Sequence, residues 1–97
     1  MEVIFTARAK KHLREIKAYI SKKSYPSRAD AYVARILNYC EGLSSFPQRG
    51  SKHDDILPGL RVVGFERNAN IAFVVTGDKV IIEGVFYGGR SVEKGLK

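Results

Sequence analysis

The chain has one cysteine, two histidines and ten acidic residues among its 97, and no apolar run near the ~20 residues that span a bilayer. Each shortage excludes something. Cys40 alone closes no internal disulfide. No apolar N-terminal segment is preceded by basic residues and followed by a cleavage site, so a reduced, cytoplasmic protein is expected. His53-Asp54-Asp55 is the one place where an imidazole adjoins carboxylates, in a loop, and His12 has no ligand at matching spacing. Hence neither a metal nor a cofactor is expected. Gly-rich phosphate loops and the local signatures of Ser/His/Asp or Cys/His nucleophiles are also lacking.

The shortage of acid leaves 17 Lys and Arg against 10 Asp and Glu, a formal charge of +7. Such a surface favours polyanions or acidic proteins as partners. The length suits one domain, 1–97, with a single core, and 44% hydrophobic residues argue against disorder.

Between Leu60 and Arg90 lie three apolar runs, Leu60 to Glu66, Asn70 to Thr76 and Lys79 to Tyr87, separated by turn signals and closed by Gly88-Gly89-Arg90. Val, Ile and Phe recur over strand lengths, so the segment reads as an antiparallel meander. Gly77 in Thr76-Gly77-Asp78-Lys79 supplies the positive φ of a primed hairpin turn. Upstream, Glu2 to Phe5 is a short strand running into Thr6, an expected N-cap. Ala9, Leu13, Ile16 and Ile20 then form one helical stripe. Arg8, Lys10, Lys11, Arg14 and Lys17 occupy the opposite arc, a basic face for a partner or for solvent. A second helix starts near Pro26, with Ser27 and Asp30 resembling a capping box, and its stripe is Ala29, Val33, Ile36, Leu37, Cys40 and Leu43. Cys40 therefore reads as a small core residue. Residues 46–59 read as one irregular segment. The expected fold is α+β, in the order β-α-α-β-β-β, with an antiparallel helical hairpin on one face of an antiparallel sheet.

Counting from the Gly77 turn places Val75 opposite Val80, Phe73 opposite Ile82 and Ile71 opposite Gly84. Phe86, Leu60, Val62 and Gly64 join that core face if Glu66 pairs with Ile71. Arg61, Val63, Phe65, Asn70, Ala72, Val74, Ile81, Glu83, Val85 and Tyr87 then share the other face, too apolar to stand in water without a partner. Arg67-Asn68-Ala69-Asn70 does not determine its turn, and a slip of one moves Arg61, Val63 and Phe65 to the core.

The element order, the loop with Phe46-Pro47 and Gly50, the Pro58-Gly59-Leu60-Arg61 approach to the meander and Val85-Phe86-Tyr87-Gly88-Gly89-Arg90 at its end together resemble the RelE/ParE superfamily of type II toxin-antitoxin toxins. That superfamily holds both ribosome-dependent ribonucleases and DNA gyrase poisons. The nuclease branch uses several basic side chains and a C-terminal tyrosine. By ungapped alignment Arg61 and Arg90 meet two basic positions, Val63 and Asn70 fall at others, and Leu96 falls near the tyrosine position. Val and Leu transfer no proton and Asn carries no charge. The resemblance therefore leans to the ParE branch. It implies a growth-inhibiting toxin without catalytic chemistry that binds DNA gyrase, is neutralised by a cognate antitoxin and meets operator DNA only through that antitoxin. The implied antitoxin segment is acidic and amphipathic, with carboxylates near Arg61 and Arg90. Expected binding residues are Arg61, Val63, Phe65, Asn70, Val74, Ile81, Glu83, Val85, Tyr87 and Arg90. The alternatives are a RelE-like mRNA endoribonuclease, with Arg61, Arg90 and Tyr87 as its catalytic residues, and an inactive member that acts as antitoxin co-regulator.

Overall fold

A computed structural model of the chain describes residues 1–96. In order these form β1 (Glu2–Phe5), α1 (Ala7–Lys23), α2 (Pro26–Gly42), β2 (Ser51–Lys52), β3 (Leu60–Phe65), β4 (Ala69–Thr76), β5 (Lys79–Tyr87) and α3 (Val92–Leu96). The five-stranded sheet runs β1-β5-β4-β3-β2, with β1 parallel to β5 and the remaining pairs antiparallel. The fold is the expected α+β arrangement, with an additional short edge strand, β2, inside the segment read as irregular.

Thr6 caps α1 as expected, its Oγ1 accepting from the Ala9 N–H at 3.1 Å. The same hydroxyl donates to the Glu83 carbonyl at 3.3 Å, tying the helix start to β5. At α2 the capping-box expectation fails. Tyr25 is the N-cap residue without a side-chain bond, and Pro26 opens the helix, where its missing N–H costs nothing. The buried stripe of α2 is Ala29, Tyr32, Ile36 and Cys40, continued by Leu43, while Val33 is half-buried and Leu37 is exposed.

The sheet's faces depart from the expected assignment at two points. The β4–β5 pairing holds from Thr76 opposite Lys79 through Phe73 opposite Ile82, then skips to Ala72 opposite Gly84 and Ile71 opposite Val85. Glu83 is the extra residue of a bulge. Beyond it the alternation inverts, so Val85 and Tyr87 turn to the helices and Phe86 away from them. In the other hairpin Val63, not Glu66, stands opposite Ile71. This shift of three is odd and exchanges the faces of β3. Its turn uses Glu66 and Arg67, both at positive φ (47° and 65°), with the Asn68 N–H donating to the Phe65 carbonyl at 3.2 Å.

The helical hairpin thus covers Val63, Phe65, Ala69, Ile71, Phe73, Val80, Ile82 and Val85, with Val3 and Phe5 of β1 alongside. Phe73, Ile71, Ile82 and Val80 are fully buried, each worth about 1.5–3 kcal/mol of removal from water. The second face is not open. Leu60, Ala72 and Phe86 are buried there beneath Ile56 and Leu57 of the β2–β3 loop and Val92 and Leu96 of α3. The tail from Ser91 thus includes a short helix that packs; Lys97 lies outside the described residues.

Glycines hold both covers in place. Gly50 has φ +80°, and a Cβ there would lie 2.3 Å from the Val62 carbonyl oxygen, so the β2 approach fits no side chain. Gly95 admits the Phe86 ring, which would come within 2.3 Å of a Cβ. The edge of β5 is closed by a side chain. β1 pairs β5 only through Ile82. Further along, His12 of α1 accepts the Val85 N–H on Nδ1 at 3.1 Å and sets its ring edge-to-face on Phe86 at 4.9 Å.

Candidate functional site

The α1–α2 pair and the end of β5 bring tyrosines together. Tyr19 meets Tyr87 at a 6.0 Å centroid distance, Tyr87 meets Tyr32 at 5.5 Å, Tyr32 meets Phe65 at 5.8 Å, and Phe65 meets Tyr39 at 5.4 Å. All are edge-to-face pairs, the arrangement preferred by ring quadrupoles. Tyr32 and Tyr39 lie seven residues apart on α2 and so share a face. Cations rest over the chain of rings: Lys23 over Tyr19 at 5.9 Å, Arg35 over Tyr32 at 5.4 Å and Arg49 over Tyr39 at 5.6 Å.

Two hollows meet at Tyr19 and Tyr87. One, of about 190 Å³, is walled by Glu15, Ile16, Val85, Gly88 and Arg90. The other, of about 490 Å³, is walled by Ile20, Lys23, Arg28, Tyr32, Arg35, Glu66 and Asn68. An ion pair marks each hollow. Arg90 meets Glu15 at 3.3 Å, and Arg35 grips Glu66 through two bonds of 2.8 and 3.0 Å. The hydrogen bond from Arg35 holds the Glu66 carboxyl below the usual range, while both groups remain in water. Tyr32 is 7% exposed and its hydroxyl has no hydrogen-bond partner among the described residues. Burial, then the neighbouring Tyr87 and Glu66, pushes its phenol up to about 12.

The residues expected on a common free face are dispersed. Val63, Phe65, Val85 and Tyr87 face the helices, and Phe65 and Val85 are core residues with little surface, Val85 showing only as a wall of the smaller hollow. Asn70, Val74 and Ile81 lie on the opposite face, where Val74 packs under the β2–β3 loop and α3 cover and Asn70 is exposed. Glu83 sits in the bulge, 4.0 Å from Arg8. Arg61 stands opposite Phe73, its guanidinium donating to the carbonyls of Gln48 at 3.0 Å and Arg49 at 3.5 Å. Tyr87 and Arg90 are brought together in the smaller hollow. Arg61 is not with them: Tyr87 aligns through Ala69 with Phe65 two strands across, and Arg61 lies four residues further along β3, so the two backbones are about 16 Å apart.

On α1, Arg8, Lys10, Lys11, Arg14 and Lys17 are all exposed as expected. Lys17 reaches Asp30 of α2 at 3.1 Å, a surface pair of small energetic weight. His53-Asp54-Asp55 serves the loop: Asp54 accepts the Gly59 N–H at 2.8 Å, His53 meets Ser51 Oγ at 3.2 Å, and no cluster able to hold a metal exists among the described residues. Burial pushes the Cys40 thiol up to about 12, as suits a core residue. Tyr19 and Tyr32 were outside the expected set. The signal for Tyr32 was present, since residues 29, 32, 36, 40 and 43 form a better helical stripe than the aliphatic residues alone.

The family model for "ParE toxin of type II toxin-antitoxin system, parDE" matches residues 3–92. The chain belongs to the ParE toxin family. A solved structure described as the chromosomal ParDE toxin-antitoxin system from P. aeruginosa superposes with a TM-score of 0.78 at 23% identity, covering 90% of this chain and 95% of the other. That likeness shows a shared ParE fold, including the N-terminal strand, helical pair and sheet. Among curated proteins none matches. Membership in this toxin family implies a cognate antitoxin as partner. No helix among the described residues is long and apolar enough to cross a membrane.

Proposed function

We propose that this ParE-family toxin acts by binding, with DNA gyrase as its cytoplasmic target, and that a cognate antitoxin neutralises it by occupying the tyrosine-lined groove. The observation that carries the reading is the separation of Arg61 from Tyr87 and Arg90. A ribose 2′-OH, the phosphate beside it and the leaving oxygen lie within one nucleotide step, and the groups serving them must converge on it. Here Arg61 is engaged by loop carbonyls about 16 Å across the sheet from Tyr87, and Val63, in place of a cation, packs against the core. The groove, by contrast, suits an amphipathic acidic segment. Aromatic walls accept apolar side chains, and Lys23, Arg28, Arg35 and Arg90 outnumber Glu15 and Glu66. Operator DNA is then met through the antitoxin.

The test pairs two assays of the purified toxin: gyrase supercoiling and DNA cleavage, and in vitro translation with mapping of mRNA ends. Gyrase-dependent DNA breaks with intact mRNA are expected. Codon-specific cuts with gyrase unaffected would replace the proposal with an endoribonuclease. Unchanged growth on induction without antitoxin would replace it with an inactive co-regulator.

A further inference from the structure

Tyr32 presents a conflict between stability and chemistry. Its ring is locked by edge-to-face contacts with Phe65 and Tyr87, and the side chain is 93% buried by its 7% exposure. A phenylalanine would fill the same space. The hydroxyl adds a donor that finds no acceptor among the described residues, a state that buried polar groups seldom keep. Around it the larger hollow gathers Lys23, Arg28 and Arg35 against the single carboxylate of Glu66. Three cations and an unused O–H donor make a site for an anionic oxygen, and the rings beside it receive an apolar neighbour.

We propose that the Tyr32 hydroxyl is a recognition group for the antitoxin, donating in the complex to the carboxylate of an acidic side chain that Arg35 and Arg28 also hold. This rests on the antitoxin reading of the groove and adds to it the residue that selects the partner. The hydroxyl oxygen has almost no solvent contact in the free toxin, and the Arg35 guanidinium lies over its ring. Arg35 and Glu66 are both exposed, so their pair turns aside readily. The incoming carboxylate takes the place of Glu66 on Arg35 and meets the O–H beneath. The site thereby favours Asp or Glu over an apolar residue at one position of the bound segment, because only an oxygen acceptor satisfies the donor.

The experiment uses full-length toxin and, as probe, the cognate antitoxin that its family implies, purified apart and recombined. Tyr32→Phe is expected to raise Tm by several degrees while weakening this complex about tenfold or more. A merely structural tyrosine does not couple those two opposite changes. Glu66→Gln, which removes the competing charge, is expected to tighten the complex severalfold. Unchanged affinity in Tyr32→Phe, or weaker binding by Glu66→Gln, overturns the role of Tyr32 while leaving the antitoxin reading standing. A complex of the unmodified toxin in which the antitoxin leaves the tyrosine-lined groove open overturns the antitoxin reading of the groove itself.

Discussion

Replacing His12 with alanine is expected to destabilise the fold by about 2 kcal/mol, through a bond that helix and sheet share. The Val85 N–H is buried and donates to His12 Nδ1 at 3.1 Å, so alanine leaves a donor without its acceptor at about 1–3 kcal/mol. Loss of the edge-to-face contact with Phe86 adds about 0.5–1.5 kcal/mol. His12 is only partly buried and water relieves some of the loss, which places the expectation in the lower half of the combined range. For a chain of this length that is a Tm decrease of about 10 °C. The acceptor role also requires a neutral imidazole. Burial lowers the His12 pKa from 6.5; Glu15 opposes this, and Arg90, Arg8 and Lys11 reinforce it. Since the folded value lies below the unfolded one, the unfolded chain binds the proton first as pH falls. Stability is therefore full above 6.5, declines as pH falls through 6.5, and levels off below the folded pKa. Urea unfolding at several pH values between about 5 and 7.5 measures this. His12→Asn, whose amide oxygen stands near the Nδ1 position and takes no proton in that range, is expected to flatten the slope. Equal slopes in the two proteins, or an alanine variant with unchanged midpoint, would refute the reasoning.

Gly50→Ala is expected to unfold the β2 edge or cost about 2 kcal/mol or more, because both its φ of +80° and the 2.3 Å approach to the Val62 carbonyl forbid a Cβ; Gly77→Ala, with φ +58° and open space, is expected to cost about 1 kcal/mol, and thermal melts of the two distinguish steric exclusion from backbone preference. Phe86→Ala is expected to cost about 3–5 kcal/mol and to release α3, read as increased amide exchange across Val92–Leu96. Arg90→Ala breaks only an exposed pair with Glu15, so stability is expected to change by less than about 0.5 kcal/mol while toxicity on induction falls; full toxicity would mean the groove end has no part in function.

The sequence was a good guide where local chemistry is unambiguous. Thr6 and the stripe Ala9, Leu13, Ile16 and Ile20 specify the start and inner face of α1, and Gly77 fixes the β4–β5 register as far as Phe73 opposite Ile82. It failed where one residue inverts a long alternation. The one mark of the bulge is the Glu83-Gly84 interruption of the apolar run, which a count by strict alternation passes over, and the bulge sends Val85 inward and Phe86 outward. The Glu66-Arg67 turn was equally hidden, since it places two non-glycine residues at positive φ, and a side-chain clasp from Arg35 on distant α2 holds one of them. The cover on the second face is built from short pieces, Ile56, Leu57 and a five-residue helix, too brief for periodicity to register. The groove was missed for a different reason. Tyr87 is the one tyrosine among the expected site residues, and the apolar stripe counted for α2 left out Tyr32, which fills a core position with its ring and keeps a polar end.

The pairing of β1 with β5 bears on how this chain comes into being. Val3 lies beside Val80, and the Thr6 hydroxyl bonds a carbonyl 77 residues away. Such distant closure is slow, because loop entropy is lost before any contact rewards it. While synthesis proceeds at about 5–20 residues per second, the first strand and the helical pair have no sheet to rest on, and their apolar stripes wait for β5. Completion of the sheet, and with it of the Tyr19–Tyr87 surface, waits until β5 has been made. The groove between the helical pair and the sheet therefore cannot exist before the last of its strands does.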